Sequence, residues 1–443
     1  MLSIRSIASR LLRLAGPVAL ARLGIMGMGV ADVMVVGQFR PQELPYQALG
    51  LAPIGVLLVT GIGLLTGVQV LAAHALGAGT PRVAGGAWRR GHVIAALAGL
   101  CAIALVWWLG PGLFTVFGIA EELAVPSARV ARILALSVPL HFSYVTSAFF
   151  LESIQRPVAS AVVMWGANAV NLALNLALVP PFGAEGSAWA TLGARLCLAG
   201  GLGVWLLRRD DAAEFGLATP SAGPSYRKLL GVGAAAAVSH AAEAGVFSGM
   251  TLIAGRIGAS AVSTYQILLN LLAIMFMGAL GMSAAGAVLT SEASGRRDAA
   301  GATRASLVAV ALAFVLAIAG ALIALGFPSQ IGRAYSGDAA LAARVAGLLW
   351  LAALVMPPDA GQAVAAAGLR ARGDNWFPTS SHLVAYALVM PTLAFVLAEG
   401  QALGVAGLML AMLTASILSC SVLSLRLWAL RKTLPSAAAH ELA

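Results

Sequence analysis

The chain alternates long apolar stretches with short breaks rich in charge, proline and glycine. A helix crosses the hydrocarbon core of a bilayer in roughly 20 mostly apolar residues. On that measure the pattern predicts spans at about 11–37, 46–76, 84–110, 122–152, 157–180, 185–208, 226–255, 259–290, 300–326, 338–369, 376–398 and 402–430. The expected fold class is an all-α membrane protein of about twelve transmembrane helices. The largest break, Arg208 to Pro224, carries charge, proline and glycine and predicts a solvated cytoplasmic linker. The chain then divides into an N-terminal six-helix lobe (1–208), the linker (209–224) and a C-terminal six-helix lobe (225–443).

An internal repeat supports that division. Tyr46-Gln47 recurs as Tyr265-Gln266 and Gly77 recurs as Gly295, at separations of 219 and 218 residues. Gly183-x-x-Gly186 before the sixth span likewise recurs as Gly404-x-x-Gly407 before the twelfth. An even number of helices per half gives both halves the same orientation, so two pseudo-symmetric lobes about an axis along the membrane normal, with a central cleft, are expected.

Composition points the same way. The 443 residues are 60% hydrophobic and 10% charged, against about 45–50% and about 25% for soluble domains. The net charge of +10 sits in loop-sized clusters between spans, the pattern of a topology signal rather than of a nucleic-acid surface. With both termini in the cytoplasm, 19 of the 27 lysines and arginines fall on that side. Six fall opposite (Arg40, Arg129, Arg132, Arg256, Arg333, Arg344), and Arg22 and Arg195 lie within spans. The basic start (Arg5, Arg10, Arg13) leads into apolar sequence up to Gly37 with no small-residue cleavage site, so the first span is expected to act as the insertion signal of an inner-membrane protein. Ser436–Ala443 reads as a short polar tail without an anchor. Cys101, Cys197 and Cys420 lie in spans without metal-ligand spacing and read as small core residues.

Charge held at bilayer depth costs several kcal/mol by most scales, so an acid inside a span is a functional candidate. Asp32, Glu243 and Asp359 are placed well inside spans 1, 7 and 10. The structural alternative is that each pairs with an internal cation, for which Arg22, Arg195 and His240 are available. Glycines 24, 27, 29 and 37 after Gly16-Pro17 permit bending and close packing of the first span. Asn168, Asn171 and Asn175 share one face of the fifth span, either bonding to Asp32, offering oxygens to a cation, or joining helices. Glu243 follows His240 by three residues, and Asp359 follows Pro357-Pro358, a pair expected to interrupt the tenth span and free backbone carbonyls. Such a set fits a proton carrier or a sodium site, and His240 fits equally a helix-interface role.

Met26, Met28, Trp165, Phe247, Met250 and Met275, with Asp32, are candidates for an adaptable substrate pocket. The chain has no phosphate-binding Gly-Lys-Ser/Thr loop, no zinc-type His/Glu pair and no Gly-x-Ser-x-Gly elbow, so no enzymatic role and no cofactor is expected.

Several of these motifs resemble the multidrug and toxic compound extrusion (MATE) family, over nearly the whole chain. Gly16-Pro17 followed by Val30-Ala31-Asp32-Val33-Met34-Val35-Val36-Gly37 resembles the family's first helix. Gly77-Ala78-Gly79, the asparagine face with Gly183-x-x-Gly186-x-Ala188-x-Ala190-Thr191, and Tyr265-Gln266 are similar too. Glu243, Asp359, Gly368-Leu369-Arg370 and Asp374 resemble its NorM-like branch. The resemblance implies an antiporter that exports amphipathic, often cationic small molecules against sodium ions or protons by alternating access. It assigns Asp32, Asn171 and Asn175 to an N-lobe cation or proton site and Glu243 with Asp359 to a C-lobe cation site, possibly for sodium. Where relatives carry an aromatic hydroxyl one turn before the C-lobe aspartate, this chain has Val355. Substrate and membrane lipid are the expected partners, nucleic acid is not, and a monomer is expected. The rival function is a flippase for a lipid-linked or polyprenyl-linked sugar, for which only Arg22 and Arg195 are candidate head-group cations.

Overall fold

The computed structural model describes residues 4–115, 119–219, 222–335 and 338–432; the polar tail read at Ser436–Ala443 lies outside them. Helices account for the regular structure of the described residues. That follows from solvent, because hydrocarbon offers no partner to a peptide group and a helix satisfies its own. The spanning elements are α1 (Ile4–Phe39), α2 (Leu44–Gly77), α3 (Pro81–Leu109), α4 (Glu121–Ser153), α5 (158–182), α6 (184–207), α7 (Tyr226–Ile257), α8 (Ala259–Gly295), α9 (Ala299–Gly326), α10 (Ala339–Ala371), α11 (Trp376–Ala398) and α12 (Val405–Ala429). Among the described residues, eleven continuous helical stretches are long and apolar enough to cross a membrane. The longest of them, Val158–Leu207, is α5 and α6 meeting at Gly183.

Two predicted details change. Pro357 and Pro358 do not interrupt α10, which runs from Ala339 to Ala371. A proline fits a helix φ, and its cost is the missing N–H, so the carbonyls four residues earlier lose their partners while the helix continues. The fourth span is two helices, Glu121–Leu136 and Val138–Ser153, joined at Ser137, whose hydroxyl donates to Leu134 O at 2.6 Å just before Pro139.

Gly183 and Gly404 explain one of the sequence repeats. Gly183 has φ 59° and ψ −136°, and Gly404 has φ 57° and ψ −132°, a conformation that side chains rarely adopt. Three residues on, Gly186 lies against the backbone of Leu178 and Val179, and Gly407 against that of Leu397 and Ala398. The first glycine of each pair turns the chain and the second lets the new helix close on the old one.

Packing divides the chain into a first unit, Leu20–Ala237, and a second, Met1–Ala19 with Val238–Ala443. The division passes through α1 and α7 and not through the linker. Within the first unit Gly63 and Gly67 of α2 meet the backbone of Ala236–Ala237 and Leu229 of α7, and Gly233 meets that of Leu64. Within the second, Gly281 of α8 meets Ala15 and Ala19 of α1, and Arg10 pairs with Glu292 at 2.9 Å.

The linker is less solvated than its composition predicts. Phe215 and Leu217 are buried, and the Phe215 ring meets Phe150 edge-on at 5.5 Å. Arg89 donates to the carbonyls of Gly216 and Thr219, and Arg90 donates at 2.8 Å to those of Gly223 and Pro224. Arg209 is paired with Asp211, and this guanidinium holds the Asp211 carboxyl below its ordinary range. Cys101 and Cys197 also depart from expectation, since both are exposed and only Cys420 is a buried core thiol.

Replacing Gly183 or Gly404 by alanine should cost about 1–3 kcal/mol each through backbone strain. Thermal unfolding of the detergent-solubilised variants checks this, with Gly16→Ala, which has open space around its Cα, as the mild control.

Candidate functional site

In the first unit the asparagine face of α5 reaches α1. Asn171 and Asn175, both fully buried, donate to Asp32 Oδ1 at 3.0 and 2.7 Å, and Thr191 of α6 donates to Oδ2 at 2.7 Å. Asn168, one turn earlier, donates to the Gly24 and Met164 carbonyls at 3.0 and 2.9 Å, which ties α5 to the α1 backbone. The face therefore does two jobs. Asn168 joins helices, while Asn171 and Asn175 serve the carboxylate.

Asp32 opens on a cavity of about 190 Å³, lined also by Met28, Gln47, His141, Thr191 and Arg195. Arg195 is 7% exposed and donates to Ser137 Oγ at 2.8 Å, and its charge acts on the Asp32 carboxylate. Asn171 Oδ1, Asn175 Oδ1, Gln47 Oε1 and His141 Nε2 are buried without a hydrogen-bond partner. Such orphaned atoms are rare in folded proteins and mark places where a ligand, ion or water completes the bonding. A carboxylate with amide oxygens beside it suits a hard cation or a transferable proton. Among the described residues no group of three or more His, Cys, Asp or Glu side chains is placed to hold a metal ion.

In the second unit Glu243 Oε1 lies 2.6 Å from His382 Nδ1, and Ser239 Oγ lies 2.5 Å from the same nitrogen. The His382 ring meets Tyr386 edge-on at 5.8 Å. Tyr386 donates to Asp359 Oδ1 at 3.1 Å, and Gln362 and Ser416 donate to the same oxygen at 3.3 and 3.4 Å. A continuous run of contacts thus leads from Glu243 through His382 and Tyr386 to Asp359, and the two carboxylates act on one another's charge. The phenol that α10 lacks at Val355 reaches Asp359 from α11. His382 and Tyr386 flank the start of a π-helical stretch, Leu383–Val389, a widening of the helix often found at functional sites.

Of the pocket candidates, Met28 shares the Asp32 cavity, and Met275 shares with Asp359 a cavity of about 90 Å³. Phe247 packs partly buried at 6.5 Å from the Tyr386 ring, and Met250 is fully buried in the core of the second unit. Met26 and Trp165 do not line the Asp32 cavity; Met164 does, and Trp165 is half exposed.

Sequence reasoning missed Thr191, His382, Tyr386, Ser416 and Glu152. The Glu152 carboxylate, placed near a helix end from the sequence, is 4% exposed. It lies 3.6 Å from Arg22 Nη2 and accepts from Gln69 at 2.5 Å. Arg22 therefore serves Glu152, and its guanidinium lies over the Phe149 ring. Arg370, counted as a loop cation, is 8% exposed, and its charge acts on Glu243. A histidine inside an apolar stretch was a usable signal for His382. Hydroxyl residues gave none, because serine, threonine and tyrosine occur throughout spans.

Fold and site together define a multi-pass helical membrane protein that keeps hydrogen-bonded carboxylates within its spans. The MatE family profile matches residues 17–177 and again residues 235–396, and the chain belongs to this family. The two matches are displaced by 218 residues at their starts and 219 at their ends, the spacing of the repeated motifs. The chain is 41% identical over 440 residues to a probable multidrug resistance protein NorM of Caulobacter vibrioides, covering 97% of this chain and 93% of that one. It is 29% identical over 397 residues to the multidrug resistance protein PmpM of Pseudomonas aeruginosa, covering 87% and 83%. Among solved structures, the eukaryotic MATE transporter AtDTX14 superposes with a TM-score of 0.89 at 18% identity, over 99% of this chain and all of that one. An outward-facing MATE family transporter of the MOP superfamily gives 0.88 at 18% identity over 96% and 97%. At such identities these structures establish the fold.

Truncating Glu152 to alanine leaves a buried guanidinium unpaired and should destabilise the protein by about 3–5 kcal/mol. Arg129→Ala, at an exposed pair 3.2 Å from Glu185, should cost no more than about 1 kcal/mol. Thermal unfolding in detergent compares them.

Proposed function

We propose that this chain exports amphipathic, often cationic small molecules across a bacterial inner membrane in exchange for sodium ions or protons. The observation that carries the proposal is Asp32. It is a carboxylate at bilayer depth on α1, held by Asn171, Asn175 and Thr191, and it faces a cavity that also holds Met28. The relatives named as multidrug resistance proteins support the transport reading. The termini lie in the cytoplasm, as the distribution of lysine and arginine favours.

The mechanism follows from solvation. An ionised carboxylate resists closure into low dielectric, and a bound cation or proton removes that cost. A coupling ion at Asp32 satisfies the carboxylate together with the orphaned oxygens of Asn171 and Asn175. A cationic substrate offers the same carboxylate the same compensation, so ion and substrate exclude one another there. Each biases the access equilibrium by its differential affinity for the two states. Glu243 and Asp359 form a second acidic site, for which the His382–Tyr386 contacts provide the connection.

Ethidium efflux from proteoliposomes under imposed sodium or proton gradients tests this. Wild type should respond to one gradient, which names the ion. Asp32→Asn should lose at least about tenfold of the gradient-driven rate, within the usual range of coupling energies, and Glu243→Gln should reduce it too. Folded Asp32→Asn and Glu243→Gln proteins that both retain full gradient-driven efflux would refute the assignment.

A further inference from the structure

We infer that the second unit holds a phosphate group, most naturally that of an anionic phospholipid, in an arginine-lined cavity formed by α1, α8 and α9. The cavity encloses about 270 Å³. Arg10 enters it from α1, Arg296 from the end of α8 and Arg304 from the second turn of α9. Ile7, Leu289 and Ala293 supply an apolar wall.

The acids nearby are engaged and do not fill it. Glu292 takes Arg10 at 2.9 Å and Arg296 at 2.5 Å and is not itself a lining residue. Asp298 lines the cavity, but its Oδ1 accepts from the Gly301 amide at 2.7 Å as the cap of α9. Three guanidiniums around one small space outnumber the single lining carboxylate. Guanidinium forks match the oxygens of a phosphate in geometry as well as in charge.

The repeat supplies an independent argument. Helices α3 and α9 begin 218 residues apart, at Pro81 and Ala299, the same displacement as between the two family matches. In that register Arg304 stands where α3 has Gly86. In the first unit Gly86 lies against the backbone of Ala222 and Gly223, and Arg90 one turn on donates to the Gly223 and Pro224 carbonyls at 2.8 Å. The first unit fills its groove with linker backbone, whose carbonyls are the acceptors. The second unit opens a cavity there and puts an arginine in place of the glycine that admitted the linker. The change from glycine to arginine converts a seat for neutral carbonyls into one for an anion.

Position favours a lipid as the source of the phosphate. The cavity lies at the helix ends that the positive-inside count assigns to the cytoplasm, at the depth of head groups. Basic pockets between spans on that face suit anionic head groups. Leu307, one turn beyond Arg304, is exposed on α9 and offers an apolar path for an acyl chain.

The test uses the delipidated full-length protein in detergent, with native mass spectrometry reading bound adducts. Phosphatidylglycerol, phosphatidylcholine and inorganic phosphate are titrated in separate arms. Phosphatidylglycerol should bind more tightly than phosphatidylcholine, and Arg304→Gly should weaken it about fivefold, the worth of one arginine at an anionic surface. Arg304→Lys, which keeps the charge, should retain most of the binding. Arg431→Gln, which removes a charge outside the cavity, should leave it unchanged. Arg304-dependent binding of inorganic phosphate without phosphatidylglycerol would keep the phosphate site and assign its ligand to solution. Equal binding by wild type, Arg304→Gly and Arg431→Gln in all arms would overturn the inference, as would an equal loss in Arg431→Gln.

Discussion

Hydrocarbon solvates neither peptide groups nor ions, and every feature of this protein answers to that constraint. It makes the regular structure helical, and it decides where polar side chains stand. Asp32 persists inside a span because Asn171, Asn175 and Thr191 bring it three donors. Glu152 persists because Arg22 and Gln69 meet it. In each case one helix carries the acid and its neighbours carry the donors, so satisfying the acid also fixes the packing of the helices. The same bonding leaves amide oxygens on Asn171 and Asn175 unpaired. The first site is thus settled on its donor side and open on its acceptor side, the state expected of a place that receives a proton or a cation.

The fold was legible because length and apolar composition decide a span by themselves. The twelve predicted segments and the twelve helices differ chiefly at their ends, where α1 begins at Ile4 instead of about residue 11. At 36 residues α1 is about 54 Å long, well beyond the hydrocarbon thickness. Its basic first turns carry little hydropathy signal although they are helical. Pro357 and Pro358 misled for a related reason, since a missing amide proton weakens a helix without bending it out of its φ.

The candidate sites were legible by halves. Acids inside apolar stretches are few, and Asp32, Glu243 and Asp359 stood out from sequence alone. Their partners did not, because a hydroxyl or an amide at depth is cheap enough to be common. Thr191 lies 159 residues from Asp32, and His382 lies 139 from Glu243 in the chain. No local spacing predicts such pairs. Glu152 was overlooked for the opposite reason, since its place near the end of α4 suggested water where the structure supplies Arg22.

The passage of the packing boundary through α1 has a consequence for how the protein is made. Arg10 leaves the ribosome among the first residues, yet its partner Glu292 follows 282 residues later. At about 5–20 residues per second that interval is some 15–60 s. Throughout it the opening turns of α1 are without their final neighbours, while the later turns of the same helix can already join α5. Biogenesis therefore asks one continuous helix to wait at one end while it is finished at the other, which makes its early companions in the membrane, lipid or insertion machinery, part of its folding pathway.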